Sequence, residues 1–194
     1  LKILAACGVP VRVWPRAPYE FLLIFYNMKI LVLGNSSIFR RKVLPALTNI
    51  KNLTIEIASK RKIEKNEHYS KIYNSYKYAI KNTKAKIVYL SLINSKHYLW
   101  AKKCLELNKH VVIDKPITIN LRELSGLLAI AKKKNLLISE VIVFHYHKQF
   151  SELINKINLN KLKKISNYFH IPKLDKINFR NNPKLGGGCY QDMS

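Results

Sequence analysis

From Met28 onward, apolar and polar residues alternate in blocks along the chain. The run KILVL, residues 29–33, reads as a buried strand that breaks at Gly34. Residues 37–50, SIFRRKVLPALTNI, have helical spacing that places Ile38, Val43, Leu44 and Leu47 on one side, with Pro45 expected to kink or shorten the helix. A second strand is predicted over LTIEIAS, residues 53–59, and a third over AKIVYLSL, residues 85–92. A helix follows over residues 95–109, then a fourth strand over HVVID, residues 110–114. Residues 120–135 form an amphipathic pattern started by Asn120 as N-cap and ended near Asn135. LLISEVIVF, residues 136–144, is a fifth strand. Short apolar strands alternating with helices predict an α/β fold, a doubly wound parallel sheet with helices on both faces.

After about residue 146 the pattern changes. KQFSELINKIN, residues 148–158, reads as a helix, and KLKKISNYFHIP, residues 161–172, as an alternating strand. No further helix–strand pair follows, so residues 146–194 are read as the incomplete start of a second, α+β domain after a first domain at 28–145. The length of 194 residues, 48% hydrophobic, fits one domain plus a piece of another. Residues 1–27 differ from the rest: Pro10, Pro15, Pro18, Arg12, Arg16 and Trp14 crowd there, beside a single lysine. The prolines and arginines interrupt any signal-like apolar centre, and FLLIF is too short to span a membrane. This segment reads as a non-native or disordered extension, with a short membrane-surface or partner segment as the alternative.

The net charge of +24, from 35 basic and 11 acidic residues, changes the picture less than its size suggests. Clustered cations would imply nucleic-acid binding. Here the lysines are spread out and accompany abundant Asn, Ile and Tyr, so biased residue usage is the reading adopted, with no nucleic-acid partner and no membrane. Cys7, Cys104 and Cys189 are far apart and odd in number, which argues against a disulfide framework or structural metal and for a reducing, cytoplasmic setting. His145 and His147 would share a strand face, but no further ligand spacing supports a metal site.

Three stretches carry candidate chemistry. In ILVLGNSSIFRRKVL a strand feeds a helix through a turn, and the three glycine places of a G-x-G-x-x-G phosphate turn hold Gly34, Ser36 and Phe39. Ser36 and Ser37 can donate to phosphate, or serve as an ordinary serine N-cap. After the second strand, Ser59, Lys60 and Arg61 offer a hydroxyl and two cations with no carboxylate, which favours NADP over NAD; a solvated loop is the alternative. Asp114-Lys115-Pro116 follows the fourth strand, where a lysine can stabilise negative charge developing on a substrate oxygen or, alternatively, pair with Asp114.

Together with SLINSKH, SEVIVFHYHKQF and FRNNPKLGGGCYQD, these stretches make the chain, from Met28 to Ser194, resemble the Gfo/Idh/MocA oxidoreductases. The resemblance implies a Rossmann domain followed by an α/β substrate domain, and hydride transfer between NADP and a sugar carbon. The lead-in FRNNPKLGGG is similar to members acting on nucleotide-linked ketosugars. The resemblance implies that Asn94 and His97 lie near the nicotinamide, and that Lys115, Asp192 and His97 are catalytic. Its cofactor set is Gly34, Ser36, Ser37, Ile38, Ser59, Lys60, Arg61, Ser91, Leu92, Asn94, His97, Asp114 and Lys115. Gly186, Gly187 and Gly188 let backbone pass close to substrate before a helix carrying Asp192. In the family a His or Tyr one helical turn past that acid handles the substrate proton. No such residue precedes Ser194, so an interrupted chain with weak or absent turnover is expected. A homo-oligomer through the second domain's sheet is also implied. Departures from the family pattern are Ser36 and Phe39 for glycines, Asp114 for Glu, and His145 and Lys148 where Arg and Pro are usual. The alternative function is a non-catalytic NADP-binding or regulatory module.

Overall fold

The computed structural model describes residues 2–4, 10–12, 28–64, 67–166, 168, 170, 172–175 and 178–188. Strands β1 (Lys2–Leu4) and β2 (Pro10–Arg12) form a two-stranded antiparallel ladder. The main sheet has six strands: β3 (Met28–Leu33), β4 (Leu53–Ala58), β5 (Lys71–Tyr73), β6 (Ile87–Leu90), β7 (His110–Asp114) and β8 (Ile138–Val141). Their spatial order is β5-β4-β3-β6-β7-β8, and every pairing is parallel. The order reverses beside β3, which opens a crevice between the ends of β3 and β6. Register makes that crevice orderly. Leu33 pairs with Ala58 on one side and Leu90 on the other, and Leu90 pairs with Ile113. Gly34, Ser59, Ser91 and Asp114, one residue further along each strand, therefore stand in a row along the carboxyl edge.

The two faces of the sheet are filled by alternate residues of the same strands. One face packs Leu31, Leu33, Val88, Leu90, Val111 and Ile113 beneath three helices, α2 (Tyr76–Asn82), α3 (His97–Glu106) and α4 (Leu121–Lys133). The other packs Ile30, Val32, Ile55, Ile57 and Tyr89 against Phe39. α4 is capped as its sequence predicts: Asn120 Oδ1 accepts from Glu123 N at 2.9 Å.

Four expectations are corrected. The helix at residues 37–48 starts α-helical at Ser37 and Ile38, is wound as a π-helix over Phe39–Val43, and is α-helical again over α1 (Leu44–Thr48). Pro45 has no N–H, and its ring crowds the carbonyl four residues back; a wider preceding turn relieves that crowding. The inner face also differs, because Phe39 is fully buried while Ile38 is 47% exposed. The strand β5 and helix α2 between the second and third predicted strands are additions. The fifth strand ends at Val141, and a 3-10 turn over Val143–Tyr146 takes up the rest, so His145 and His147 do not share a strand face. Finally, helix α5 (Lys148–Lys156) is present, but no strand forms among the described residues of 161–172.

Candidate active site

Gly34 begins the edge. Its φ of +99° is a conformation that side chains rarely tolerate, and a Cβ there would stand 2.1 Å from the Ser91 carbonyl oxygen. Backbone bonds from Gly34 N to Ala58 O (2.9 Å) and from Ser91 N to Leu33 O (2.9 Å) tie the ends of β3, β4 and β6 together. Ser37 and Ile38 lie exposed on the turn. Ser36 faces inward: its Oγ accepts from Phe39 N at 3.0 Å and lies 2.7 Å from Ser91 Oγ. The N-cap alternative is the one adopted, and the Ser36 hydroxyl is engaged inside the protein.

At the end of β4, the Ser59 hydroxyl accepts from Arg61 N at 3.0 Å and shapes the loop. Ser59 to Lys62, together with Lys71 of β5, line an open cleft of about 550 Å³. Among the described residues, four cations and no carboxylate line it.

The loop after β7 is held from three directions. Both oxygens of Asp114 accept hydroxyl bonds, one from Tyr89 and the other from Ser91 at 2.9 Å. Burial, and then the charge of Asp114, raise the Tyr89 phenol well above its ordinary range. The Lys115–Pro116 peptide is cis. The Pro116 carbonyl lies 2.7 Å from Nδ1 of His97, and Ile117 N donates to Glu140 Oε1 of β8 at 2.7 Å. Lys115 itself is exposed, one residue past the carboxylate and at the edge of the crevice. The carboxylate of Asp114 is thus committed to Tyr89 and Ser91.

His97 and Asn94 occupy the expected turn but face differently. His97 is fully buried, with Nε2 3.1 Å from Leu92 O in addition to the Pro116 contact. Both ring nitrogens meet backbone carbonyls, so the ring fastens the lysine loop to the turn after β6. Asn94 is also buried, and its Nδ2 donates to Gly186 O at 2.7 Å. That bond docks the glycine segment onto the sheet edge. A Cβ on Gly186, at φ +79°, would meet Asn94 Cβ at 2.5 Å. Gly187 is hemmed in by the Phe179 and Arg180 carbonyls. Asp192 lies outside the described residues. Among those described, no cluster of three or more His, Cys, Asp or Glu is placed to hold a metal, and no helix is long and apolar enough to cross a membrane.

The model of the Gfo/Idh/MocA family, described as an oxidoreductase family with an NAD-binding Rossmann fold, matches residues 28–142. The chain belongs to this family. A dTDP-3,4-didehydro-2,6-dideoxy-alpha-D-glucose 3-reductase from Saccharopolyspora spinosa is 28% identical over 174 residues, covering 86% of this chain and 52% of that protein. A D-xylose 1-dehydrogenase (NADP(+)) from Haloferax volcanii is 23% identical over 84% of this chain and 52% of its own length. A variant of a 3-ketoreductase from Actinomadura kijaniata, crystallised with TDP-benzene and NADP, shares the fold at a TM-score of 0.73 and 24% identity, covering 84% of this chain and 53% of that one. The chain spans about half the length of the curated relatives it matches.

Within this Gfo/Idh/MocA chain, two supporting residues escaped the sequence reading. Glu140 was the one visible anomaly, an acid inside the apolar run LLISEVIVF. Tyr89 gave no signal, because a tyrosine in a strand reads as packing.

Proposed function

We propose that the chain carries the NADP-binding half of an oxidoreductase acting on a sugar carbon, with a nucleotide-linked ketosugar as the favoured substrate class. The observation that carries the cofactor preference is the cleft lined by Lys60, Arg61, Lys62 and Lys71 beside Ser59, with no carboxylate in its wall among the described residues. A ribose bearing a 2′-phosphate suits that lining, whereas a ribose with free hydroxyls is better matched by an acid. The turn fits the rest of the dinucleotide. Gly34 lets backbone come close, and among the described residues Asn35 Oδ1 at the same turn is a buried acceptor with no partner, suited to a donor such as a ribose hydroxyl. When bound, the reduced cofactor would supply the hydride for a substrate carbonyl carbon. The Lys115 ammonium would donate to the carbonyl oxygen, where negative charge grows, and would be the source of the proton that completes the alcohol. Asp114, His97 and Glu140 hold the loop that presents this lysine. Asp192 orients the substrate, and residues 146–194 open the domain that receives it.

A second reading is a non-catalytic NADP-binding module. The commitment of both Asn94 and His97 to backbone carbonyls favours it, because it leaves fewer side chains for substrate.

Titration of the chain with NADPH and NADH, followed by nicotinamide fluorescence, tests the cofactor assignment. NADPH binds more tightly, and Lys60→Asp with Arg61→Ala removes the preference; equal affinities in both proteins would overturn it. Hydride transfer to a dTDP-ketosugar by a protein that includes the length its relatives possess, lost in Lys115→Ala while NADPH still binds, separates the enzyme from the module.

A further inference from the structure

Ser36 and Phe39 stand in the second and third glycine places of the phosphate turn, and both are engaged in one set of contacts. Phe39 N donates to Ser36 Oγ at 3.0 Å, and Ser36 Oγ lies 2.7 Å from Ser91 Oγ. Ser91 Oγ donates to Asp114 Oδ2 at 2.9 Å. An ionised carboxylate only accepts, so the Ser91 proton is directed at Asp114. The Ser91 lone pair must then take the Ser36 proton, and the Ser36 lone pair takes the Phe39 N–H. With the Ser91 proton on Asp114, the donors run from Phe39 N through Ser36 and Ser91 to the carboxylate. The other Asp114 oxygen accepts from Tyr89, whose ring centroid lies 6.1 Å from that of Phe39 at 37°. The path returns to the residue where it began. Phe39, Tyr89 and Ser91 are at most 3% exposed, while Ser36 and Asp114 are half-buried, so the bonds run along the edge of the core with one side near solvent.

We propose that this closed circuit is a positioning device that replaces the missing glycines. It locks the phosphate turn of β3 to the ends of β6 and β7, so the backbone amides of the turn and the Lys115 loop form one rigid unit. Ser36, Ser91 and Tyr89 are positioning residues. The Ser36 hydrogen is directed into the protein, so a phosphate meets the amides of the turn and not this hydroxyl.

The binding readout rests on the NADP reading above, so the circuit is tested in two ways. Ser36→Ala and Tyr89→Phe remove opposite ends of the circuit, and the two side chains do not bond each other. Each single change weakens NADPH binding about 3- to 10-fold. The double variant is no weaker than about the worse single. Effects that multiply independently, within about twofold, would overturn the circuit. Ser36→Gly, which restores the motif glycine, is expected to bind as poorly as Ser36→Ala, while Ser36→Thr, which keeps the hydroxyl, recovers affinity. A Ser36→Gly chain that binds NADPH as tightly as the unmodified one would refute the proposal. If the unmodified chain binds no NADPH, the cofactor assignment fails by itself. The same pair of changes, read by denaturant unfolding midpoints, then decides the circuit: shared loss supports it and additive loss rejects it.

Discussion

Gly34 shows how tightly single residues constrain this edge. Alanine there combines a left-handed φ of +99° with a Cβ 2.1 Å from the carbonyl oxygen of Ser91, a residue whose own N–H is bonded across the sheet to Leu33 O. The backbone has no room to yield, so Gly34→Ala is expected to cost at least ~2–3 kcal/mol. An equilibrium unfolding curve would show the loss, with NADPH binding abolished in parallel. Glu140 is a milder case. Its carboxylate holds Ile117 N at 2.7 Å, and the site is only partly buried. Glu140→Ala is expected to cost about 1–2 kcal/mol, and Glu140→Gln, which still offers an oxygen, less than half of that. A Gln variant as unstable as the Ala variant would show that the bond is not what matters. Residue by residue, the sequence made Gly34 and Lys115 legible, because a glycine after a buried strand and a lysine before proline each have few structural excuses. It left open what Ser36, Asn94 and His97 bond to. That depends on which carbonyls or hydroxyls a distant strand end brings within reach, and spacing along one strand carries no such information.

At the scale of elements, Glu56 fastens the sheet to its neighbours. The buried carboxylate in β4 accepts from Tyr73 Oη of β5 at 3.0 Å and from Thr83 Oγ1, at the end of α2, at 2.7 Å. Thr83 Oγ1 in turn accepts from Ala85 N at 2.9 Å, just ahead of β6. Glu56→Ala would leave two buried hydroxyl hydrogens without their acceptor and is expected to cost about 2–4 kcal/mol, read as a lower urea midpoint at unchanged slope. A loss below ~1 kcal/mol would mean that water takes the acid's place. The central strands were easy to read because a parallel strand covered on both faces is a continuous apolar run. β5 was missed for the opposite reason: three residues flanked by polar ones give no period to detect. Residues 161–172 misled in the other direction. Leu162 and Ile165 stand among lysines, but three apart, which would put them on opposite strand faces; Ile165 is 76% exposed, and among the described residues no neighbouring strand supplies a ladder. Alternation is necessary for such a strand, but pairing is what stabilises it.

For the whole molecule, the basic composition invites a simple forecast: self-repulsion from +24 charges should ease as lysines lose protons, so stability should rise in alkali. The interior points the other way. Burial first, then the bond and charge of Glu56, push the Tyr73 phenol up to about 12 from 10.0. Tyr69, Tyr76 and Tyr89 are raised in the same direction, burial being the largest cause for each. Burial also lifts the Cys104 thiol to about 12 from 9.0. In the unfolded chain these groups release protons near their ordinary values, whereas the folded chain retains them to higher pH. The folded state therefore binds more protons across this window, and stability falls as pH rises, by about 1.4 kcal/mol per unit for each group that differs. Below about pH 8, under the ordinary range of the thiol as well as the phenols, their contribution is complete and flat. The surface lysines are spread out and screened by salt, while the phenols act from inside the core, so the interior effect is expected to dominate between pH 10 and 12. Unfolding free energies measured across that interval at moderate salt should decline. Tyr73→Phe removes one titrating group from the comparison, so its curve should start lower, for want of the Glu56 bond, and decline less steeply by one proton's worth. A parallel decline in the two proteins would show that Tyr73 ionises as freely when folded as when unfolded.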